Sequence, residues 1–120
     1  MELNEQLNGL VVDDEGTQCW YQYGQLHRLD GPAVIYPSGV QYWYQHGQSH
    51  REDGPAAIWA DGTQCWYQNG QQHRLDGPAV IWADGEQRWY LNGWPHSFDS
   101  WLDLINATEK ERTFLVLRWS

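Results

Sequence analysis

Histidine, arginine and aspartate recur together in this chain at a spacing that could support chemistry. The segments "HRLDGP", "HREDGP" and "HRLDGP" bring the three residue types within four positions, three times over. A histidine stands every 23 residues, at His27, His50, His73 and His96. Regular histidines suggest metal ligands, histidine near aspartate suggests a catalytic dyad, and arginine with aromatic residues suggests a site for a nucleotide-like ligand.

The spacing disfavours a metal site. If each unit adds two strands, equivalent histidines lie about 10 Å apart, whereas ligands of one ion must converge within a few ångströms. One histidine and one aspartate per unit are too few ligands for a site within the unit. We therefore expect no metal and no cofactor. Each histidine should pack on an aromatic ring and bond a backbone carbonyl at a turn.

The sequence also argues against an enzyme. The units carry no recurring nucleophile beside the histidine: Cys19 and Cys65 share a column whose other members are Tyr42 and Arg88. A catalytic dyad would be present three times, which binding arrays need and enzymes rarely do. The sequence therefore predicts a binding protein without catalytic residues.

The arginines allow a structural and a binding interpretation. Aspartate before Gly-Pro favours a turn, and arginine can pair with its carboxylate or lie across a tryptophan ring. That would explain the recurrence without any ligand. The same side chains could instead hold a nucleobase and its phosphate. The candidate ligand- or partner-binding residues are Arg28, Arg51, Arg74, Arg88, His27, His50, His73, Trp43, Trp66, Trp89, Tyr44 and Tyr67.

The 23-residue period predicts a repeat architecture that positions these side chains. The units fall near residues 10–26, 27–49, 50–72 and 73–95. In the last unit, "PAVIW" (78–82) predicts one strand, "ADG" (83–85) a turn and "EQRWYL" (86–91) a second strand. The following Asn-Gly is a strong hairpin signal. We therefore predict a mainly β fold for residues 1–96, an antiparallel meander of stacked β-hairpins.

Alternation along the second strand separates two rows of aromatic residues. Tryptophans and tyrosines should point to opposite faces of the sheet, in the rows Trp20, Trp43, Trp66, Trp89 and Tyr21, Tyr44, Tyr67, Tyr90. With nine Trp and seven Tyr in 120 residues, aromatic rings can supply the core that aliphatic residues do not. One row should face the core, and the other should be partly exposed.

Residues 97–120 predict a C-terminal cap of a helix and a strand. Phe98, Trp101, Leu102 and Ile105 form an amphipathic stripe, and Ser97 is a suitable N-cap. "TEKE" (108–111) matches a capping box. The run "TFLVLRW" (113–119) predicts a strand.

Charge and length restrict the partners. The formal net charge is −9, which disfavours binding to a nucleic-acid backbone. It permits a basic protein partner, mimicry of nucleic acid, or a small ligand in a locally basic pocket. The N-terminal segment lacks a signal-peptide pattern, and no apolar run reaches membrane-spanning length. The two cysteines should lie too far apart for a disulfide, so we expect free thiols and a cytoplasmic location.

The repeats resemble a known family. The period, the strand ending in Asn-Gly and the following histidine ("NGQQHR", 69–74) resemble MORN-type repeats, and "HRxDGPA…WYxNG" resembles a variant found in phage and large-virus proteins. The resemblance covers residues 10–96. Arginine and Asp-Gly-Pro replace the short Gly-x-Gly steps usual in that family. The resemblance implies a hairpin-stacked sheet that binds proteins, or lipids, and no reaction.

These observations lead to a ranked functional hypothesis. We expect a non-enzymatic interaction module, phage-encoded, that binds and inhibits a component of the host. The alternative is a sponge that sequesters a nucleotide-type signalling molecule between aromatic and arginine side chains. An acidic nucleic-acid mimic is the third option. Homo-oligomers could form through the sheet edge or the cap.

Overall fold

A computed structural model describes residues 7–120 of the chain. The first six residues, which belong to the predicted array and to the segment examined for a signal peptide, lie outside the described residues. The strands are β1 (Gly9–Val12), β2 (Gln18–Gln22), β3 (Gln25–Leu26), β4 (Val34–Ile35), β5 (Gln41–Tyr42), β6 (Tyr44–Gln45), β7 (Gln48–Ser49), β8 (Ala57–Ile58), β9 (Gln64–Cys65), β10 (Tyr67–Gln68), β11 (Gln71–Gln72), β12 (Val80–Ile81), β13 (Gln87–Leu91) and β14 (Trp94–His96). Two helices follow, α1 (Phe98–Leu104) and α2 (Glu109–Trp119).

The main sheet confirms the predicted antiparallel meander. Its strands run in the order β1-β2-β4-β5-β8-β9-β12-β13-β14, and β3 adds to β2. Val80, for example, pairs with Cys65 of one unit and Arg88 of the next strand. Each unit is thus hydrogen-bonded to its neighbour, which is how repeat proteins bury a core that one hairpin cannot.

Each unit contains two turns, and glycine is required at both. In the first turn Gly62 has a φ of 93°, and its N–H donates to the Trp59 carbonyl at 2.9 Å. In the second, Asn69 and Gly70 have φ of 51° and 81°, the two successive positive values of a type I′ hairpin. The Gly70 N–H donates at 2.9 Å to the carbonyl of Ser49, in the preceding hairpin.

The second strand of the two middle units is interrupted, contrary to the continuous strand expected. It breaks at Trp43 and Trp66, which separate β5 from β6 and β9 from β10. At the break the backbone changes partner: the Trp43 N–H donates to Ala56 of the next unit, while its carbonyl accepts from His50. β5 therefore belongs to the main sheet and β6 to a separate two-stranded hairpin with β7. Trp20 makes the equivalent bonds, but β2 is continuous there because β1 also pairs with it.

The tyrosine side of the sheet contributes to the core, and the tryptophans lie on the other side. Ala57, Cys65 and Val80 form a buried cluster. The tyrosines packed against it are Tyr42, Tyr67 and Tyr90. Burial raises the pKa of the Cys65 thiol.

The cap consists of two helices, so the predicted strand at 113–119 is wrong. Ser97 caps α1 as expected, its hydroxyl accepting from the Ser100 N–H. Thr108 and Glu111 form the predicted capping box of α2. That box directs the chain into a helix. Leu115 forms a buried cluster with Trp89, Trp101 and Leu102, here called the Trp89 cluster, and Trp119, one turn after Leu115, packs against it. This tertiary contact overrides the strand propensity of the run.

The described chain is elongated, with extents of 52 × 30 × 21 Å. Arg112 ties the two helices together by donating to the Leu102 carbonyl at 3.2 Å and to Asp103 at 3.1 Å. Between residues 7 and 120, neither helix has the length and apolar character needed to cross a membrane.

Candidate binding grooves between the repeats

Each repeat arginine folds back onto the tryptophan eight residues before it. The guanidinium carbon lies 3.9, 4.0 and 3.8 Å from the ring centre in Arg28–Trp20, Arg51–Trp43 and Arg74–Trp66. A guanidinium over an indole is attracted by the negative face of the ring. The stacking brings each HRxDGP loop against the tryptophan side of the sheet.

The arginines also fix the shape of their own loops. Arg51 Nε donates to Asp53 Oδ1 at 3.1 Å, and Arg51 Nη1 donates to the Pro55 carbonyl at 3.0 Å. The other two units repeat both bonds, with Asp30 and Pro32 and with Asp76 and Pro78. The bracing role expected of the arginine and aspartate is therefore present in all three units.

The histidines hydrogen-bond differently from the expectation. His50 Nδ1 accepts from the backbone N–H of Asn69 at 3.0 Å, so its partner is a turn N–H and not a carbonyl. His27 and His73 make the same bond to the turns at His46 and Asn92. Because a nitrogen that accepts must be unprotonated, the bond requires neutral histidine. Burial lowers the pKa of His73, and burial together with the charge of His46 lowers that of His27.

Two open grooves lie between successive loops. Groove 1 has a volume of about 520 Å³, with walls from residues 28–32 and 50–53 and a floor containing Trp43 and Gln45. Groove 2 also measures about 520 Å³, with walls from 51–55 and 73–76 and a floor containing Gln64, Trp66 and Gln68. These volumes fall within the range of ligand pockets.

Carboxylates outnumber guanidiniums in both grooves. Groove 1 is lined by Arg28, Arg51, Asp30, Glu52 and Asp53. Groove 2 is lined by Arg51, Arg74, Glu52, Asp53 and Asp76. The side chains of Glu52 and Asp53 are 72% and 87% exposed, although they pair with His50 and Arg51, so the rims present carboxylate surface to solvent. The grooves are not the locally basic pockets that a small anionic ligand would require.

The third loop, around Arg74, is covered by the cap. Trp101 Nε1 donates to the Arg74 carbonyl at 2.8 Å, and Trp119 Nε1 donates to the Asp76 carbonyl at 3.2 Å. Trp89 stands where Trp43 and Trp66 stand in the earlier units, and is 7% exposed. Its ring packs against Phe98 and Trp101, with centroids 4.8 and 4.6 Å away.

The structure brings together only part of the predicted site. The predicted residues that line the grooves are Arg28, Arg51, Arg74, His50, His73, Trp43 and Trp66. The other five lie outside the grooves. Trp89 is covered by the cap, Tyr67 packs on the buried cluster of Ala57, Cys65 and Val80, and the ring centre of Tyr44 lies 6.4 Å from that of Tyr42. His27 packs against His46, and Arg88 is exposed and pairs with Glu86.

The groove residues that the sequence prediction left out include Gln45, Gln68 and Glu52. The glutamines recur at the repeat spacing, two residues after Trp43 and Trp66. The same position in the covered unit is Leu91, which packs on the Trp89 cluster. The change from glutamine in the units with open grooves to leucine in the covered unit is the sequence feature that could have indicated the grooves.

Neither cysteine lies in surroundings that favour a reactive thiolate. Cys19 and Cys65 are free, as expected, and burial raises the pKa of both thiols, which disfavours the nucleophilic thiolate. Within residues 7–120, histidine, cysteine and acidic side chains do not gather in threes as metal ligands would.

Comparisons of the chain with protein-family models, with curated proteins and with solved structures found no match. The case for function therefore rests on the grooves themselves. Their fixed walls, aromatic floors and acidic rims are suited to holding a ligand or a segment of another protein.

Proposed function

We propose that this protein is a non-enzymatic binding module whose two open grooves hold a positively charged partner protein. The observation that carries the proposal is the repetition of one groove. Grooves 1 and 2 have the same volume and the same kinds of residues, one unit apart. A partner that fills both gains affinity from the second contact without a new kind of interaction.

The charge of the grooves favours a basic partner. Each rim offers exposed carboxylates, and the whole chain carries a net charge of −9. Complementary charge accelerates encounter with a basic surface and selects against acidic ones. Lysine or arginine side chains of a partner can reach the rim while its apolar groups enter the floor.

The nucleotide sponge is less well supported. A nucleobase could stack beside the tryptophans, but its phosphate would lie among three carboxylates in either groove. Both guanidiniums of each groove already pair with an aspartate. A partner protein satisfies the charges of the site better than a phosphate does.

The resemblance of the repeats to phage and large-virus proteins supports a host protein as the partner, with inhibition as the result of binding and the cytoplasm as its place. This part of the proposal depends on the resemblance and not on the grooves. It is tested by identifying the captured protein.

The experiment is an affinity capture with matched variants. Glu52→Gln removes a carboxylate shared by both grooves, and Glu86→Gln removes one that is paired with Arg88 outside them. A partner captured by wild type and by Glu86→Gln should be captured several-fold less by Glu52→Gln, and less at high salt. Equal capture by all three proteins would contradict the proposal. A large thermal shift with a nucleotide, absent from Arg51→Ala and retained in Glu52→Gln, would favour the sponge.

A further inference from the structure

Trp119 shows how this repeat loop holds an indole. Its ring lies 5.3 Å from the guanidinium carbon of Arg74, which also stacks on Trp66 at 3.8 Å. Its Nε1–H donates to the Asp76 carbonyl at 3.2 Å. A Cβ on Gly77 would come within 2.9 Å of the ring, so the indole rests directly on the glycine. Guanidinium, glycine and carbonyl together form what we call an indole seat.

The same three groups are present, without an indole, in the two other units. Their seats consist of Arg28, Asp30 and Gly31, and of Arg51, Asp53 and Gly54. The bonds from arginine Nη1 to the proline carbonyl measure 3.1, 3.0 and 3.0 Å in the three units, so the loops have the same shape.

The two seats are open to the grooves. The side chains of Arg28 and Arg51 are 24% and 23% exposed, against 13% for Arg74. A Cβ on Gly31 or Gly54 would have the arginine of its own loop as its nearest neighbour, and no indole comes as close. Gly31 lines groove 1, and Gly54 lines groove 2.

Resting on the proposed function, we infer that the open seats take tryptophan side chains carried by a basic segment of the partner protein. Trp119 is itself next to a base, and the guanidinium of Arg118 lies 4.7 Å from its ring centre. The exposed carboxylates beside each seat complement such a base. A nucleobase could offer a similar ring and N–H, but its phosphate would oppose those carboxylates.

Spacing restricts the segment further. Equivalent points of neighbouring units are separated by two strands, about 10 Å. Two tryptophans reach that distance on one face at positions i and i+7 of an α-helix, which rises about 1.5 Å per residue. They also reach it at i and i+3 of a polyproline II segment, which has three residues per turn and rises about 3.1 Å per residue. The partner segment should therefore carry paired tryptophans at one of these spacings, flanked by lysine or arginine.

The test uses calorimetry of the full chain with short synthetic peptides. The probe is a blocked peptide containing Arg-Trp-Lys, and its controls replace Trp by Leu or replace both bases by glutamate. We expect two peptides per chain, about tenfold weaker binding for each control, and weaker binding to Glu52→Gln than to Glu86→Gln. The Trp119→Ala variant opens the third seat and should bind three peptides, whereas Leu117→Ala, an exposed neighbour, should still bind two.

The outcomes separate the two proposals. Equal binding of the Trp and Leu peptides, both weakened in Glu52→Gln, would overturn the indole inference and leave the basic partner in place. Absence of peptide binding would overturn the inference, while the capture experiment would still decide the function. If Trp119→Ala does not fold, Trp119→Phe keeps a ring on the seat without the N–H donor, and two peptides should bind.

A second copy of this chain is the competing source of tryptophan, since Trp94 is 73% exposed. Sedimentation should find a monomer at the concentrations used. A dimer that Trp94→Ala dissociates would overturn a foreign partner in favour of self-association.

Discussion

At the scale of single residues, one arginine per unit connects three parts of the fold. Arg51 stacks on Trp43, pairs with Asp53 and bonds the Pro55 carbonyl. Lysine cannot replace it, because an ammonium lacks the planar fork that stacks and donates in two directions. This accounts for arginine, and not lysine, at the position in all three units.

Replacing Arg51 should therefore lower stability more than replacing an exposed arginine. We expect Arg51→Ala to reduce the free energy of unfolding by about 1–3 kcal/mol, from the lost stacking and the unpaired carbonyl. Arg51→Lys should recover only part of it. Arg88→Ala, which loses an exposed pair with Glu86, should change it by less than about 0.5 kcal/mol. Urea unfolding measures all three; similar losses for Arg51→Ala and Arg88→Ala would contradict the bracing role.

The partly buried His73 makes stability depend on pH. Burial lowers the pKa of His73 below its unfolded value of about 6.5, and its Nδ1 accepts from the Asn92 N–H. Above about pH 6.5, His73 is neutral in both the folded and the unfolded state, so its contribution to the free energy of unfolding is fully present. As the pH falls through about 6.5 the unfolded state takes up the proton first, so the free energy of unfolding falls until the folded pKa is passed.

The variant His73→Asn tests this directly. Asn8 already makes the corresponding bond at the first hairpin, its side-chain oxygen accepting from the Tyr23 N–H at 3.1 Å. We expect the variant to be close to wild type at pH 8 and to lose less stability between pH 7 and 5. Thermal melts of both proteins across that range measure how the melting temperature depends on pH. If this dependence were the same in both proteins, His73 would not be its source.

At the scale of elements, some structure could be predicted from short stretches and some could not. The Asn-Gly turns were predictable because Asn69 and Gly70 tolerate positive φ, which few residues do. The breaks at Trp43 and Trp66 were not, because they depend on a carbonyl of the next unit. The strand predicted at 113–119 failed because local propensity does not include the contact of Leu115 with the Trp89 cluster.

The candidate site divides in the same way. The arginine–aspartate pair is local, two residues apart, and its pairing was expected from the sequence. The groove is not local, because its opposite walls come from loops one full repeat apart. Trp89 lies outside the grooves because the C-terminal cap, residues 97–120, packs on it. This contact could not be predicted from the repeat sequence.

The second helix offers a prediction at this scale. The hydroxyl of Thr108 accepts from the Glu111 N–H, and the Glu111 carboxylate accepts from the Thr108 N–H, which lowers the pKa of Glu111. Thr108→Ala should reduce the free energy of unfolding by about 1 kcal/mol. Thr113→Ala, within the exposed face of the same helix, should be neutral or slightly stabilising. Chemical denaturation measures the free energy of unfolding of both variants. An equal loss in both would mean that the capping box of Thr108 and Glu111 does not stabilise the helix.

At the scale of the whole molecule, the array behaves as a chain of equivalent units held by their neighbours. The hairpin turns of three successive units bond the preceding hairpin through the N–H groups of Gly47, Gly70 and Gly93. At the first hairpin the Gly24 N–H makes the equivalent bond to the Leu7 carbonyl, and at the other side Trp101 and Trp119 cover the last loop. Stability in such arrays is the sum of unit and neighbour terms, so the number of units should be adjustable.

Duplicating residues 50–72 in tandem should therefore give a folded, longer protein with one more groove. The inserted unit repeats the backbone pairing of an existing unit, so we expect a melting temperature at least equal to that of wild type. X-ray scattering should find the longest dimension, 52 Å in the described chain, increased by about 10 Å for two added strands. A control insert one residue shorter shifts the alternation and points core side chains to solvent, so it should unfold. If both inserts were tolerated equally, or if the full repeat unfolded the chain, neighbour contacts of a fixed register could not be what holds the array together.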